Sequence, residues 1–458
     1  MLANDIERKL HSQKQYFFTG ATKPYAFRLS QLKRLKQVIK KYEAELLDTL
    51  EAELRKPGQE SYLTEIGVTY EEINFTIKHL KRWMKPRKVT TPLTHIGSSG
   101  VIYPEPYGVS LIIAPWNYPV QLALAPLIGA IAAGNCAMLK PSELTPRTSA
   151  LLKKMMDETF DENYVAVVEG GVEVSTELLK QRFDAIFFTG SVPVGKIVME
   201  AAAKHLTPVT LELGGKSPSI VGPTANLELT AKRIVWGKFS NAGQTCIAPD
   251  YLLAHHSVKQ KLLERMEHYI VELYGANPRV SGHYGSIVTE RHARRLADFI
   301  DKAHIVRGGK YDTADRYIEP TIIDQVTLED QVMQEEIFGP VLPVFEYKEL
   351  DEAIQFIRSF EKPLALYLFS TDSAEIDTML QQISFGGGCI NDTLTHIATP
   401  YLPFGGVGQS GVGAYHGKAS FDVFTHHKSV LHQTVAFDLP ARYANSRLGA
   451  KLVRALLK

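Results

Sequence analysis

The chain has 458 residues, 45% of them hydrophobic and 22% charged, with a formal net charge of +1. That length allows two or three domains with full cores, and the near-neutral balance excludes a global field for nucleic acid or another polyanion. Three cysteines without a short pairing pattern, Cys136, Cys246 and Cys389, argue against a disulfide framework or a structural zinc site and fit a reducing, cytoplasmic setting.

The N-terminus, Met1-Leu2-Ala3-Asn4-Asp5, has no cationic start followed by an apolar block, so no signal peptide is expected. Residues 1–85 read as helical. Leu29, Leu32, Leu35, Ile39, Tyr42, Leu46 and Leu50 step at three and four and make one apolar stripe, and Ile66, Tyr70, Ile73, Ile77, Leu80 and Trp83 make a second. The basic stretch between Lys78 and Lys88 reads as a solvated helix face. Pro86, Pro92, Pro104 and Pro106 mark an extended connector over residues 86–106.

Residues 109–139 carry no charge, a run longer than the ~20 that a membrane span needs. Pro115, Pro119, Pro126, Gly129 and Gly134 interrupt it, and Asn117 and Asn135 lie inside it. A strand, turn, helix and strand buried in a parallel sheet explain the run better than a span. Strands are predicted over 109–114, 137–139, 164–168, 183–188 and 209–213, with helices between them. Five such strands make a doubly wound parallel sheet, in which ligands sit at the carboxyl ends of the strands. Past Cys246 the alternation resumes in a second α/β domain. Its helices are expected around Val258–Leu273 and over 287–304, 350–357 and 373–383. Its strands are expected over 340–345, 364–369 and 389–391.

Seven short motifs stand out, and three of them, at Asn117, at Lys140 with Glu143 and at Gly190-Ser191, fall at the expected ligand end of this pattern. In Phe239-Ser240-Asn241-Ala242-Gly243-Gln244-Thr245-Cys246, the cysteine follows loop and cap formers rather than apolar neighbours. A thiol in a loop or at a helix start is reachable, and helix amides would lower its pKa; a packing cysteine is the other reading. Pro115-Trp116-Asn117-Tyr118-Pro119 sets an amide in a rigid turn, either an ordinary Asn turn or a donor to a developing oxyanion. Alternation in Val209-Thr210-Leu211-Glu212-Leu213 turns Glu212 away from the apolar face, as a salt-bridged strand residue or as a general base with raised pKa. Lys140-Pro141-Ser142-Glu143 can meet a ribose or simply cap a helix. Gly190-Ser191, with Gly195 one turn on, opens a helix after a strand and suits a phosphate, although it lacks the GxGxxG spacing. The last two are Glu335-Glu336-Ile337-Phe338-Gly339-Pro340 and Pro403-Phe404-Gly405-Gly406-Val407-Gly408-Gln409-Ser410-Gly411.

Taken together, from Tyr107 to Lys428, these motifs resemble the aldehyde dehydrogenase superfamily in order and spacing. Asn391-Asp392, Gly413-Ala414-Tyr415-His416-Gly417-Lys418 and the short N-terminal region are similar to its class 3 branch. The resemblance implies an α/β fold: a doubly wound cofactor domain (1–208, interrupted by the arm 86–106), a catalytic domain (209–395), and a return (396–458) supplying oligomerisation strands and a tail. It implies NAD(P)-dependent oxidation of an aldehyde to an acid. Cys246 is then the nucleophile, Asn117 with the Cys246 amide the oxyanion donors, and Glu212 the base that activates water. Lys140 and Glu143 match adenosine-ribose contacts, Gly190, Ser191 and Gly195 the pyrophosphate turn, and Glu336 with Phe338 the nicotinamide-ribose side. Glu143 favours NAD, with NADP as the second expectation.

The resemblance also implies a homodimer and no metal. Cys136 is expected to serve packing. His396 is expected near the substrate side without a catalytic role. Two rival functions are a CoA-acylating dehydrogenase, against which Glu212 argues, and a catalytically silent binding protein. In the tail, Leu448, Leu452, Val453 and Leu456 alternate with Arg447, Lys451, Arg454 and Lys458. That short cationic helix is expected to pack on the body or a partner subunit, with peripheral membrane contact the less favoured reading.

Overall fold

The computed structural model describes residues 2–439 and 442–446, and beyond them only 449, 451 and 454. The first apolar stripe forms the helices Tyr25–Lys41 and Glu43–Leu54, preceded by Leu2–Phe18; the second forms Val68–Trp83. Leu32, Leu35, Ile39, Leu46 and Leu50 are fully buried, as the three-and-four spacing requires. A π-helical stretch, Tyr62–Gly67, leads into Val68–Trp83.

The uncharged run is the strand Val109–Ile113, the helix Gln121–Ala133 and the strand Cys136–Lys140. Every residue of that helix is buried, and a Cβ on Gly129 would lie 2.9 Å from the Ser420 carbonyl, so helix Lys418–Val423 approaches to backbone distance. Among the described residues no helix is long and apolar enough to cross a membrane.

The first sheet runs Gly411–Val412, Val209–Glu212, Ala185–Thr189, Val109–Ile113, Cys136–Lys140, Val165–Val167. Its last five strands are parallel, and the two-residue edge strand is antiparallel. The direction of winding reverses between Val109–Ile113 and Ala185–Thr189, which sets the switch point between the Asn117 turn and Gly190. Val209–Glu212 pairs with Ala185–Thr189 and so belongs to the first sheet, whereas residue 209 was expected to open the catalytic domain.

The second sheet has seven strands in the order His304–Arg307, Thr321–Asp324, Val341–Tyr347, Tyr251–His255, Pro218–Val221, Ala365–Phe369, Gly387–Ile390. All are parallel except the first. The predicted connector is more ordered than expected. Its Arg87–Val89 and Ser98–Pro106 pair antiparallel, and Thr425–Gln433 pairs along the whole of Ser98–Pro106 to make a three-stranded arm. The tail residues on which the cationic-helix reading rests lie almost entirely outside the described residues.

Candidate active site

Helix Leu227–Phe239 ends in a turn where Asn241 (φ 51°), Ala242 (φ 50°) and Gly243 (φ 73°) are all left-handed. For Asn and Ala that conformation costs about 1–2 kcal/mol each, so the surroundings must impose it. Asn241 N–H donates to Glu60 Oε1 (2.7 Å), and its side-chain amide donates to the Asn117 carbonyl (2.8 Å). Gln244 donates to the carbonyls of Asn241 and Ser286 (3.0 Å each) and accepts from Val288 N–H (2.9 Å). A Cβ on Gly243 would meet the Gly339 carbonyl at 2.3 Å, so only glycine fits there. The result presents Cys246 in a turn at the sheet junction, with no helix following it.

That local structure corrects one expectation. The amides of Cys246 and Ile247 do favour a thiolate, but burial, then the nearby Glu336 and Glu212 carboxyls, outweigh them and push the Cys246 thiol well above its ordinary range. The thiol of the free protein is therefore protonated at neutral pH.

The structure brings Asn117 to this loop. The turn after Val109–Ile113 buries it, and its Nδ2 donates to the Gln244 carbonyl (3.0 Å), two residues before Cys246. An amide nitrogen carries two hydrogens, so one remains for a substrate oxygen. Glu212 ends its strand on the same side. It is buried, neither carboxyl oxygen has a hydrogen-bond partner, and burial alone raises its pKa well above normal. The salt-bridged alternative therefore falls away. The glycine-rich segment explains how Glu212 is framed: Gly411 pairs opposite it, and the Ser410 carbonyl accepts from Leu213 N–H (3.2 Å). A Cβ on Gly411 (φ 154°) would lie 2.4 Å from the Leu211 carbonyl.

Glu336 sits on Gly214-Gly215. A Cβ on Gly214 would fall 2.0 Å from its Oε2, and the Gly215 amide donates to the carboxyl. Burial and then Asp250 push its pKa up to about 8, against the Gly215 amide, Lys216 and Arg295. Its loop is clamped. Lys216 pairs with Asp250 and donates to the carbonyls of Val332 (3.1 Å) and Glu335 (2.9 Å), while Asp250 accepts from Ile337 N–H (2.9 Å). Phe338 follows with φ 47°, its ring edge-on to Trp116 at 5.3 Å.

The remaining predicted residues line the carboxyl edge of the first sheet. Lys140 is buried and pairs with the exposed Glu143 at 2.6 Å. Ser191 is the N-cap of Val192–Ala203 and makes no side-chain cap bond, and Pro193 lies in the first turn, where a missing N–H costs nothing. Gly195 packs on Leu213, which a Cβ would strike at 2.6 Å. The Thr189 hydroxyl is buried without a partner at the strand end. A free N-cap, an orphaned hydroxyl and a strand-end lysine–glutamate pair fit a dinucleotide running across the switch point.

Residues 2–430 match the aldehyde dehydrogenase family model. The chain belongs to the aldehyde dehydrogenase family. It is 50% identical over 457 residues to 4,4'-diaponeurosporen-aldehyde dehydrogenase of Staphylococcus aureus, covering 99% of this chain and 100% of that one. It is 45% identical over 428 residues to the mouse aldehyde dehydrogenase named dimeric NADP-preferring (93% and 94% covered). The solved structure described as the substrate-bound state of Staphylococcus aureus AldH superposes with a TM-score of 0.97 at 50% identity, covering 99% of both chains. As a family member it is an oxidoreductase that acts on an aldehyde with NAD or NADP. The class 3 likeness and the α/β fold agree with these relatives.

Several site residues were not singled out from the sequence. Lys56, Glu60 and Glu65 read there as ordinary members of a helical region, yet all converge behind Asn117 and Asn241. Tyr118 (hydroxyl to Thr245 Oγ1, 2.6 Å) and Tyr367 (hydroxyl to the Ile247 carbonyl, 2.6 Å) flank the cysteine turn. Cys136 is buried and its thiol is pushed up to about 12. Cys389 lies 3.5 Å from His396 Nδ1, and burial lowers that imidazole to about 4.

Proposed function

We propose that Cys246 attacks the aldehyde carbonyl, with Asn117 Nδ2 and the Cys246 amide holding the oxygen as it becomes an oxyanion. The carrying observation is the convergence on one buried turn of a thiol, an amide fixed two residues away, and a carboxyl with no partner in the fold. The thiohemiacetal so formed expels its carbon-bound hydrogen as hydride and becomes a Cys246–acyl thioester, which water cleaves as Glu212 takes the water's proton. Its raised pKa makes it a stronger base than a surface carboxylate once ionised, and its lack of other partners leaves it free for that proton. Lys140, Glu143, Gly190, Ser191, Gly195, Glu336 and Phe338 hold NAD or NADP, whose nicotinamide supplies the hydride acceptor. Glu143 supports NAD as the preferred form.

The substrate is a medium or long aliphatic, or an aromatic, aldehyde. The buried tyrosines around the thiol support this, as does the relative named for 4,4'-diaponeurosporen-aldehyde. The protein works as a homodimer in the cytoplasm. An open edge on Thr425–Gln433, exposed Leu93, Ile96 and Leu431 on the arm, and the dimeric mouse relative support the first; three free thiols support the second.

The test is reduced-nicotinamide absorbance with an aldehyde panel, with NAD and NADP, for wild type and Cys246→Ala, with and without CoA. Turnover abolished by the substitution and indifferent to CoA supports the proposal. Turnover that survives Cys246→Ala, or that yields acyl-CoA, overturns it.

A further inference from the structure

The segment from Lys56 to Gly67 carries charged side chains that the mechanism above does not use. Lys56 and Glu65 form an ion pair at 2.6 Å with both side chains wholly buried. Removing two ions from water costs several kcal/mol each, so such a pair is poor evidence of stability and calls for another reason. Its contacts supply one. Lys56 Nζ also donates to the Asn117 carbonyl (3.1 Å) and lies 4.1 Å from the centre of the Tyr118 ring. The other oxygen of Glu65 accepts from Val120 N–H (2.8 Å) and Gln121 N–H (3.3 Å), at the start of helix Gln121–Ala133.

The pair thus brackets the turn that carries Asn117, by a carbonyl at its beginning and by amides at its end. Glu65 lies on the π-helical stretch, a local widening of the helix that often marks a functional site. Glu60, on the same segment, holds the first left-handed residue of the cysteine turn. One short piece of chain therefore grips both halves of the reacting centre.

We propose that Lys56 and Glu65 are positioning residues for the Asn117 amide. Fixing the turn holds the donor at the oxygen that gains charge, which matters because a preorganised donor needs no reorganisation during reaction. This rests on the oxyanion reading of Asn117 given above.

The test compares Lys56→Met, Glu65→Gln and the apolar replacement Lys56→Met/Glu65→Leu, each with and without Asn117→Ala. The kcat is expressed per folded chain, taken from the amplitude of the cooperative thermal unfolding transition, so misfolded protein does not count. Removing an oxyanion donor outright lowers kcat by about 10²–10³. Displacing it should cost about tenfold or more in kcat with little change in aldehyde KM, since the contact strengthens only in the transition state. The apolar pair leaves no uncompensated charge, so its Tm should return towards wild type while kcat stays low. With Asn117→Ala present, the same substitutions should add almost nothing. A loss of equal size in both backgrounds, or a recovered kcat in the apolar pair, overturns the proposal. Wild-type kcat in Asn117→Ala alone would overturn the oxyanion reading, and the proposal with it.

Discussion

Two adjacent glycines make opposite predictions. A Cβ on Gly214 would sit 2.0 Å from Glu336 Oε2, whereas one on Gly215 meets nothing nearer than 3.5 Å. Neither residue has a left-handed φ, so alanine introduces no backbone strain at either site. In Gly214→Ala the atom that must move is the end of a flexible side chain, so the fold should hold and the Glu336 carboxyl should leave its seat on the Gly215 amide. Above about pH 8, where that carboxyl is ionised, a hydrogen bond to it contributes about 1.5–3 kcal/mol. If that carboxyl contacts the nicotinamide ribose, cofactor affinity should weaken about 10- to 150-fold. Titrating each variant with NAD and NADP by protein fluorescence, alongside thermal unfolding, measures both quantities. Gly214→Ala should lose affinity with Tm little changed, and Gly215→Ala should resemble wild type. Equal affinity in both variants, or an equal loss in both, would refute the placement of Glu336.

Glu212→Gln should stop steady-state turnover but allow one burst of reduced nicotinamide per active site, because only thioester hydrolysis needs the base; rapid-mixing absorbance reads the burst, and its absence would move Glu212 to an earlier step. Asn117→Ala should lower kcat by about 10²–10³ while the rate of thiol alkylation at Cys246 stays near wild type. Burial holds Glu336 at about 8 against an ordinary value of 4.5. Its contribution to stability is therefore complete below pH 4.5 and is lost as pH rises towards 8, because the unfolded chain ionises first. The Tm of cofactor-free wild type should accordingly fall relative to Glu336→Gln between pH 4.5 and 8, and the gap should level off above that; a gap independent of pH would show that Glu336 is not buried as a neutral carboxyl.

The first sheet was legible because its strands are buried on both faces, so each reads as an apolar run ended by a polar residue. Val109–Ile113, Cys136–Lys140 and Ala185–Thr189 all lie within a few residues of the predicted positions, and the predicted site residues stand at their ends. Much of the second sheet was not legible. Pro218–Val221 follows Gly214-Gly215-Lys216 and opens on proline, Tyr251–His255 begins just after Pro249-Asp250, and His304–Arg307 has two charge-bearing types in four residues. None offers the length or alternation that periodicity needs. Helix Leu227–Phe239 was missed because its buried set includes Thr230 and Lys238, which blur the stripe.

The cysteine turn shows a different limit. Its motif singled out Cys246 as the proposed nucleophile, but the motif alone pointed to a lowered thiol pKa where burial raises it. Local amides are visible in the sequence; what outweighs them is burial by the surrounding fold, then the carboxyls of Glu336, 90 positions after Cys246, and Glu212, 34 positions before it. The consequence is functional. A thiol that is protonated in the free protein is a weak nucleophile, and it gains reactivity when its surroundings gain positive charge. The oxidised nicotinamide carries a positive charge and is expected beside Glu336. Cofactor binding should therefore speed alkylation of Cys246. Replacing Glu336 with Gln should speed it without cofactor only above about pH 8, where that carboxyl is ionised, and should change it little at lower pH, where the carboxyl is already neutral.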